Sequence, residues 1–181
     1  MPTFNEAFLQ GFNPGRVPAA PKTRFGYAVE DSKSAGWDDW FKKNPYVSGM
    51  AVGGPNKLNG DERQDRAIVV NPYAEPMMDE NKREALIRLE AARHLMDEEG
   101  YKPGFQITPQ LQTWRQKTFV KGRDPYATDD AAFRETVISR ALVGDMDPAL
   151  LTPEIQQEAK VWNWKLDKRD KGGINPDLLR R

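Results

Sequence analysis

The strongest constraint on the fold is where the helix breakers fall. The first 60 residues hold 6 Pro and 8 Gly, so 14 of these 60 positions resist a regular helix. Further along, Gly and Pro mostly stand at the ends of apolar-periodic runs. This layout excludes a chain that is helical throughout. It predicts an N-terminal third of mostly extended backbone, followed by helices. Charge does not separate the two parts: residues 1–60 carry 7 basic and 5 acidic groups, and the other 121 carry 20 and 22.

Two short aromatic pieces interrupt the N-terminal third. In residues 3–12, Thr3 and Glu6 fit a Thr-x-x-Glu capping box. Phe4, Phe8 and Phe12 recur every fourth residue with Leu9 beside them, which makes one helical face aromatic. A helix of about two turns does not hold in water alone. It packs on its own body or anchors on a partner. Asn13 to Pro21 is a proline-rich spacer, and at ~3.1 Å per residue it carries the aromatic segment about 25 Å away. The second piece places Trp37, Trp40 and Phe41 on one face at i, i+3, i+4 spacing, and Pro45 ends it. It reads either as a satellite cluster on the core or as an interface hot spot.

Residues 50–73 predict a β-hairpin. Met50-Ala51-Val52 and Ala67-Ile68-Val69-Val70 flank strong turn chemistry from Gly53 to Asp61. Four helices follow. The first spans about Asp79–Glu99, with a stripe of Leu86, Leu89, Ala92, Arg93 and Met96 widened by Ile87, Ala91 and Leu95. The second starts at Thr108-Pro109 and presents Leu111, Trp114 and Phe119. The third covers about Asp129–Val143, with Phe133, Val137, Ile138, Ala141 and Leu142. The fourth starts at Thr152-Pro153 and presents Ile155, Ala159, Trp162 and Leu166. The expected fold class is mainly α: a small domain of about four helices with one short β-hairpin, an extended N-terminal arm and a C-terminal tail. In ranges, residues 1–48 form the arm, 49–167 the helical domain, and 168–181 a flexible basic tail.

The chemistry is mostly exclusion. The chain has no Cys and one His, which removes disulfides, thiolate metal sites, cysteine nucleophiles and multi-histidine centres. Lys and Arg balance Asp and Glu at 27 each, against a nucleic-acid coat or a polybasic membrane binder. No apolar run approaches the roughly 20 residues of a membrane span. The first residues lack the pattern of a secretory signal. Glu90, His94 and Glu98 lie at i, i+4, i+8 on one helix, a spacing that puts two carboxylates and an imidazole on one face. No second His completes such a site, so the face reads as solvated, with an exposed histidine. Gly53-Gly54-Pro55 belongs to no phosphate-binding motif and reads as a hairpin loop. Lys165, Lys168 and Arg169, near Trp162 and Trp164, are candidate contacts for nucleic acid or an acidic partner. Asp167 and Asp170 interrupt them. No catalytic or metal residues and no cofactor are expected.

Several segments resemble small proteins of unassigned role encoded by tailed bacteriophages of proteobacteria. They are Gly49 to Gly54, Ile68 to Tyr73, Leu89 to Arg93, Arg134 to Ala141 with Gly144-Asp145, and Thr152-Pro153-Glu154. The resemblance covers about residues 49–157 and carries no catalytic residues. It implies a non-enzymatic virion structural or adaptor protein, assembled in the host cytoplasm. Its partners would be other virion proteins (capsid, portal or tail) or copies of itself, bound through Phe4, Phe8, Leu9, Phe12, Trp37, Trp40 and Phe41. The alternative is an early phage regulator that binds a host protein or nucleic acid.

Overall fold

The run Ala67-Ile68-Val69-Val70 is apolar at every position, the pattern of a strand covered on both faces. The computed structural model, which describes residues 25–74 and 80–173, makes it the central strand of a small sheet. The elements are β1 (Ala28–Asp31), α1 (Asp38–Lys43), β2 (Gly49–Val52), β3 (Ala67–Val70), α2 (Glu80–Glu98), α3 (Pro109–Thr118), α4 (Asp130–Leu142) and α5 (Pro153–Gly173). Single 3-10 turns occupy Pro125–Ala127 and Pro148–Leu150. The fold is mainly α, as expected, with a three-stranded sheet in the order β1-β3-β2.

The hairpin is present: β2 runs antiparallel to β3, with Gly49 opposite Val70 and Val52 opposite Ala67. It gains a third strand that the sequence did not announce. β1 adds parallel to β3, with Ala28 opposite Ala67. Residues 25–48, read from sequence with the arm, therefore carry β1 and α1 and pack on the body. Residues 1–24 lie outside the described residues, as do 174–181.

Side-chain alternation distributes the sheet between two cores. Met50, Val52, Ala67 and Val69 pack with Phe41 of α1 on one side. Ile68, Val70 and Tyr27 face the larger core on the other, with Ile87, Ala91, Leu95 and Met96 of α2. That helix is the hub, in contact with the sheet, α4 and α5. Phe133, Val137 and Ile138 of α4 and Ile155, Trp162 and Leu166 of α5 complete this core.

Helix starts follow their caps. Thr108 Oγ1 accepts the N–H of Leu111 (3.2 Å), Asp129 accepts those of Ala131 and Ala132, and Thr152 Oγ1 accepts that of Ile155. At the other end, α5 continues through Gly173, so residues 168–173, read with the tail, extend the helix. The loop after β2 needs its glycine: Gly53 has φ +79°, and a Cβ there would lie 2.4 Å from the Asp65 carbonyl oxygen. Among the described residues, no helix is long and apolar enough to cross a membrane.

Candidate partner-binding face

α1 has six residues, too few to persist in isolation. Asp38 and Asp39 in its first turn and Lys42 and Lys43 in its last complement the helix dipole. Burial of Phe41 fastens it to the sheet. Phe41 is fully buried, which corrects its reading as a partner contact: it is a core residue of the second cluster. Trp37 is half-buried, and its Nε1–H donates to Asp61 Oδ2 at 3.0 Å. Trp40 is 38% exposed, with its ring edge-on to those of Trp37 and Phe41 at 5.9 and 5.2 Å. Of the three aromatics predicted here, Trp40 is the one turned to solvent.

Two tyrosines join it. Tyr73 is 55% exposed, and its hydroxyl donates to Asp38 Oδ1 at 3.0 Å. Asp38 also accepts from Ser32 Oγ (3.1 Å) and pairs with Lys42 (2.6 Å). Lys42 beside it holds the Asp38 carboxyl below the usual carboxylate range. Tyr46 is 49% exposed; its hydroxyl donates to Asn44 Oδ1 (2.8 Å), and Asn44 Nδ2 donates to the Trp40 carbonyl (2.8 Å). The Arg123 guanidinium covers the Tyr46 ring at 4.2 Å. Trp40, Tyr46 and Tyr73 thus border α1, exposed yet held by hydrogen bonds and ring contacts. Sequence reasoning missed both tyrosines in this role. Each stands one residue after a proline in a loop, and only the fold brings them to α1. Phe4, Phe8, Leu9 and Phe12 lie outside the described residues.

The basic segment of α5 resolves differently. Lys165 pairs with Glu99, and Arg169 pairs with Glu98 at 2.5 Å. Arg66 pairs with Asp97 and lies 3.5 Å from Glu98. These cations gather at the C-terminal end of α2, where its dipole is negative. Trp162 is core, with Lys165 Nζ over its ring at 4.2 Å. Trp164 is 55% exposed beneath Lys168 Nζ at 4.0 Å. Two of the three candidate nucleic-acid contacts therefore spend their charge on carboxylates at and just beyond the end of α2.

The Glu90–His94 part of this face turns inward and both residues are buried, which corrects the expectation of an exposed histidine, while Glu98 at its far end is exposed. His94 Nε2 lies 2.8 Å from the Ala67 carbonyl, which makes that nitrogen the protonated donor, and the ring stacks on Tyr27 at 4.7 Å. Burial pushes the imidazole pKa down to about 4. Glu90 Oε2 accepts the backbone N–H of Ala51 (2.9 Å) and lies 3.3 Å from Arg93 Nη1. Burial raises the Glu90 carboxyl, against the pull of Arg93. Glu98 is spent on Arg169 and Arg66. The three side chains do not converge, and among the described residues no group of three or more His, Cys, Asp or Glu is placed to hold a metal ion.

Arg115 is a second buried charge that the sequence did not reveal. It is 4% exposed, donates to the Tyr126 carbonyl and Asp130 (both 2.6 Å), and lies 4.5 Å over the Phe133 ring. An Arg one position after a half-buried Trp reads as surface until the packing is seen. Comparison with known proteins finds no match: no family model fits the chain, and no curated protein or solved structure is similar to it.

Proposed function

We propose that the chain is a non-enzymatic structural or adaptor protein of a bacteriophage particle, which binds neighbouring virion proteins. The observation that carries this reading is the set of exposed, fixed aromatics around α1: Trp40, Tyr46 and Tyr73. Large rings held in place lose little side-chain entropy when a partner covers them, which is why such residues dominate interface energetics. A short helix that presents a ring at the edge of a well-filled core is suited to docking. The phage context rests on the sequence resemblance over residues 49–157. The aromatic stripe of Phe4, Phe8 and Phe12 gives the same chain a further attachment point.

Particles assembled with a chain lacking residues 1–12 test the reading. Mass spectrometry of purified particles should find the full chain and not the truncated one. Circular dichroism of the truncated protein should still show its helices. Normal incorporation of the truncated chain would remove Phe4, Phe8 and Phe12 as an attachment point; absence of the full chain from particles would refute the reading and favour an early regulator.

A further inference from the structure

The connection between α3 and α4 brings a basic turn against Tyr46. Residues 115–123 hold the cations Arg115, Lys117, Lys121 and Arg123 and no acidic residue. Arg115 is spent inside the protein on Asp130 and the Tyr126 carbonyl. The other three are exposed. We propose that the tip of this turn and Tyr46 form a docking site for an acidic segment of a neighbouring protein. Carboxylates of that segment meet Lys121, Arg123 and Lys43, and its apolar side chains cover Tyr46 and Val120. The proposal rests on the adaptor reading above and names the chemistry of the partner.

The site is built before a partner arrives. Phe119 packs on the larger core, with its ring 5.2 Å from that of Tyr126. Beyond it the chain closes a tight turn. The Val120 carbonyl accepts the N–H groups of Arg123 (3.1 Å) and Asp124 (2.9 Å), and Asp124 Oδ2 accepts the Val120 N–H at 2.7 Å. Gly122 supplies the positive φ of +84° at the tip. Arg123 then reaches across to Tyr46 and lies 4.2 Å over its ring. Tyr46 is fixed in turn through Asn44, which follows Lys43 at the end of α1. A fixed ring and a closed turn lose little entropy when a partner covers them.

Charge says what covers them. At the end of α2 the cations are answered: Arg66, Lys165 and Arg169 all pair with carboxylates. Around Tyr46 they are not. Among the described residues Lys43 and Lys121 form no ion pair, and Arg123 comes no nearer than 3.6 Å to Asp124. Surface pairs add little affinity, so the exposed Tyr46 and Val120 hold the partner, while the cations select an acidic one and speed its approach. Nucleic acid fits less well. Asp39, one turn before Lys43, and Asp124 stand among the cations and repel a continuous phosphate backbone. The Arg123 guanidinium also occupies a face of the Tyr46 ring on which a base would stack. A protein segment can set its carboxylates between these charges.

Fluorescence anisotropy of a labelled peptide of alternating Glu and Leu, titrated with the full-length chain, tests the proposal. The double variant Lys121→Gln/Arg123→Gln should bind about fivefold more weakly, and raising the salt from about 50 to about 300 mM should weaken the wild type similarly. Lys160→Gln/Lys168→Gln removes the same charge from α5 and should leave binding unchanged. Both double variants should keep the wild-type thermal midpoint. Equal weakening by the two double variants would overturn the proposal, as would equal affinity for a peptide of alternating Gln and Leu. Tighter binding of single-stranded oligothymidylate, lost in Lys121→Gln/Arg123→Gln, would overturn it in favour of nucleic acid. No binding of the acidic peptide by a chain that still enters particles would overturn the acidic site and leave the adaptor reading standing. Peptide binding through Lys121 and Arg123 by a chain absent from particles would uphold the site and remove the adaptor reading.

Discussion

Phe41 and Trp40 are adjacent in the chain and opposite in what they do. Phe41 fills the space between α1 and the sheet, so Phe41→Ala should cost about 3–5 kcal/mol through the cavity it leaves. Trp40→Ala removes a ring that is 38% exposed and should cost less than about 2 kcal/mol. Urea unfolding of the two variants checks this, and equal losses would mean that Trp40 is core. His94 is the residue with the clearest pH signature. Its pKa falls from 6.5 to about 4 on folding because the ring is buried against Tyr27, with Arg66 adding to the fall; the bond to the Ala67 carbonyl and the carboxylates of Glu98 and Asp97 oppose it without cancelling it. Between these values the unfolded chain binds the proton and the folded chain does not. Its stabilising effect is therefore complete above pH 6.5 and is lost as pH falls toward 4, by up to roughly 3 kcal/mol. Unfolding midpoints at pH 7.5 and 4.5 should diverge more in the wild type than in His94→Gln. Equal divergence would show that the carboxylates alone set the slope.

At the scale of elements, the sheet depends on side chains from distant helices. β2 is an edge strand, and such edges invite pairing with other chains unless covered. Here the Ala51 N–H is taken by Glu90, and the Ala51 carbonyl accepts from Asn59 Nδ2 at 2.5 Å. Glu90→Ala should cost about 3–5 kcal/mol, because it leaves the Ala51 N–H unpaired and takes the Glu90 carboxylate from Arg93, which keeps its hydrogen bond to Thr136. Thermal unfolding measures the loss, and an unchanged midpoint would show that water replaces the carboxylate. The elements that could be read from sequence are those whose causes are local. Thr108, Asp129 and Thr152 cap helices within three residues of themselves, so α3, α4 and α5 begin where expected. The hairpin was visible in two apolar runs around Gly53-Gly54. β1 was not, because Ala28-Val29-Glu30-Asp31 has no strong apolar pattern and its strand partner lies 39 residues on, at Ala67. The inward turn of His94 was hidden for the same reason. Periodicity places a residue on a helix face, but only the sheet packed there shows that the face is interior. Tyr46 and Tyr73 were likewise invisible as a pair.

At the scale of the whole molecule, the sheet and α2 form a filled centre that leaves aromatic groups outward in two places. One is the α1 face with Trp40, Tyr46 and Tyr73; the other is Trp164 on α5 with Lys168 over it. The zero net charge hides internal pairing: the acidic end of α2 is answered by Arg66, Lys165 and Arg169. At that end of α2, where the cations are already paired, long-range attraction of an anionic partner is weak. The central claim is that the α1 face docks on a neighbouring virion protein. It is tested most directly by counting copies of the chain in purified particles assembled with the wild type or with Trp40→Ala/Tyr73→Ala. The double variant should fold with unchanged helical content and be lost from the particles. Particles holding the double variant at wild-type copy number, or lacking the wild-type chain altogether, would contradict the account.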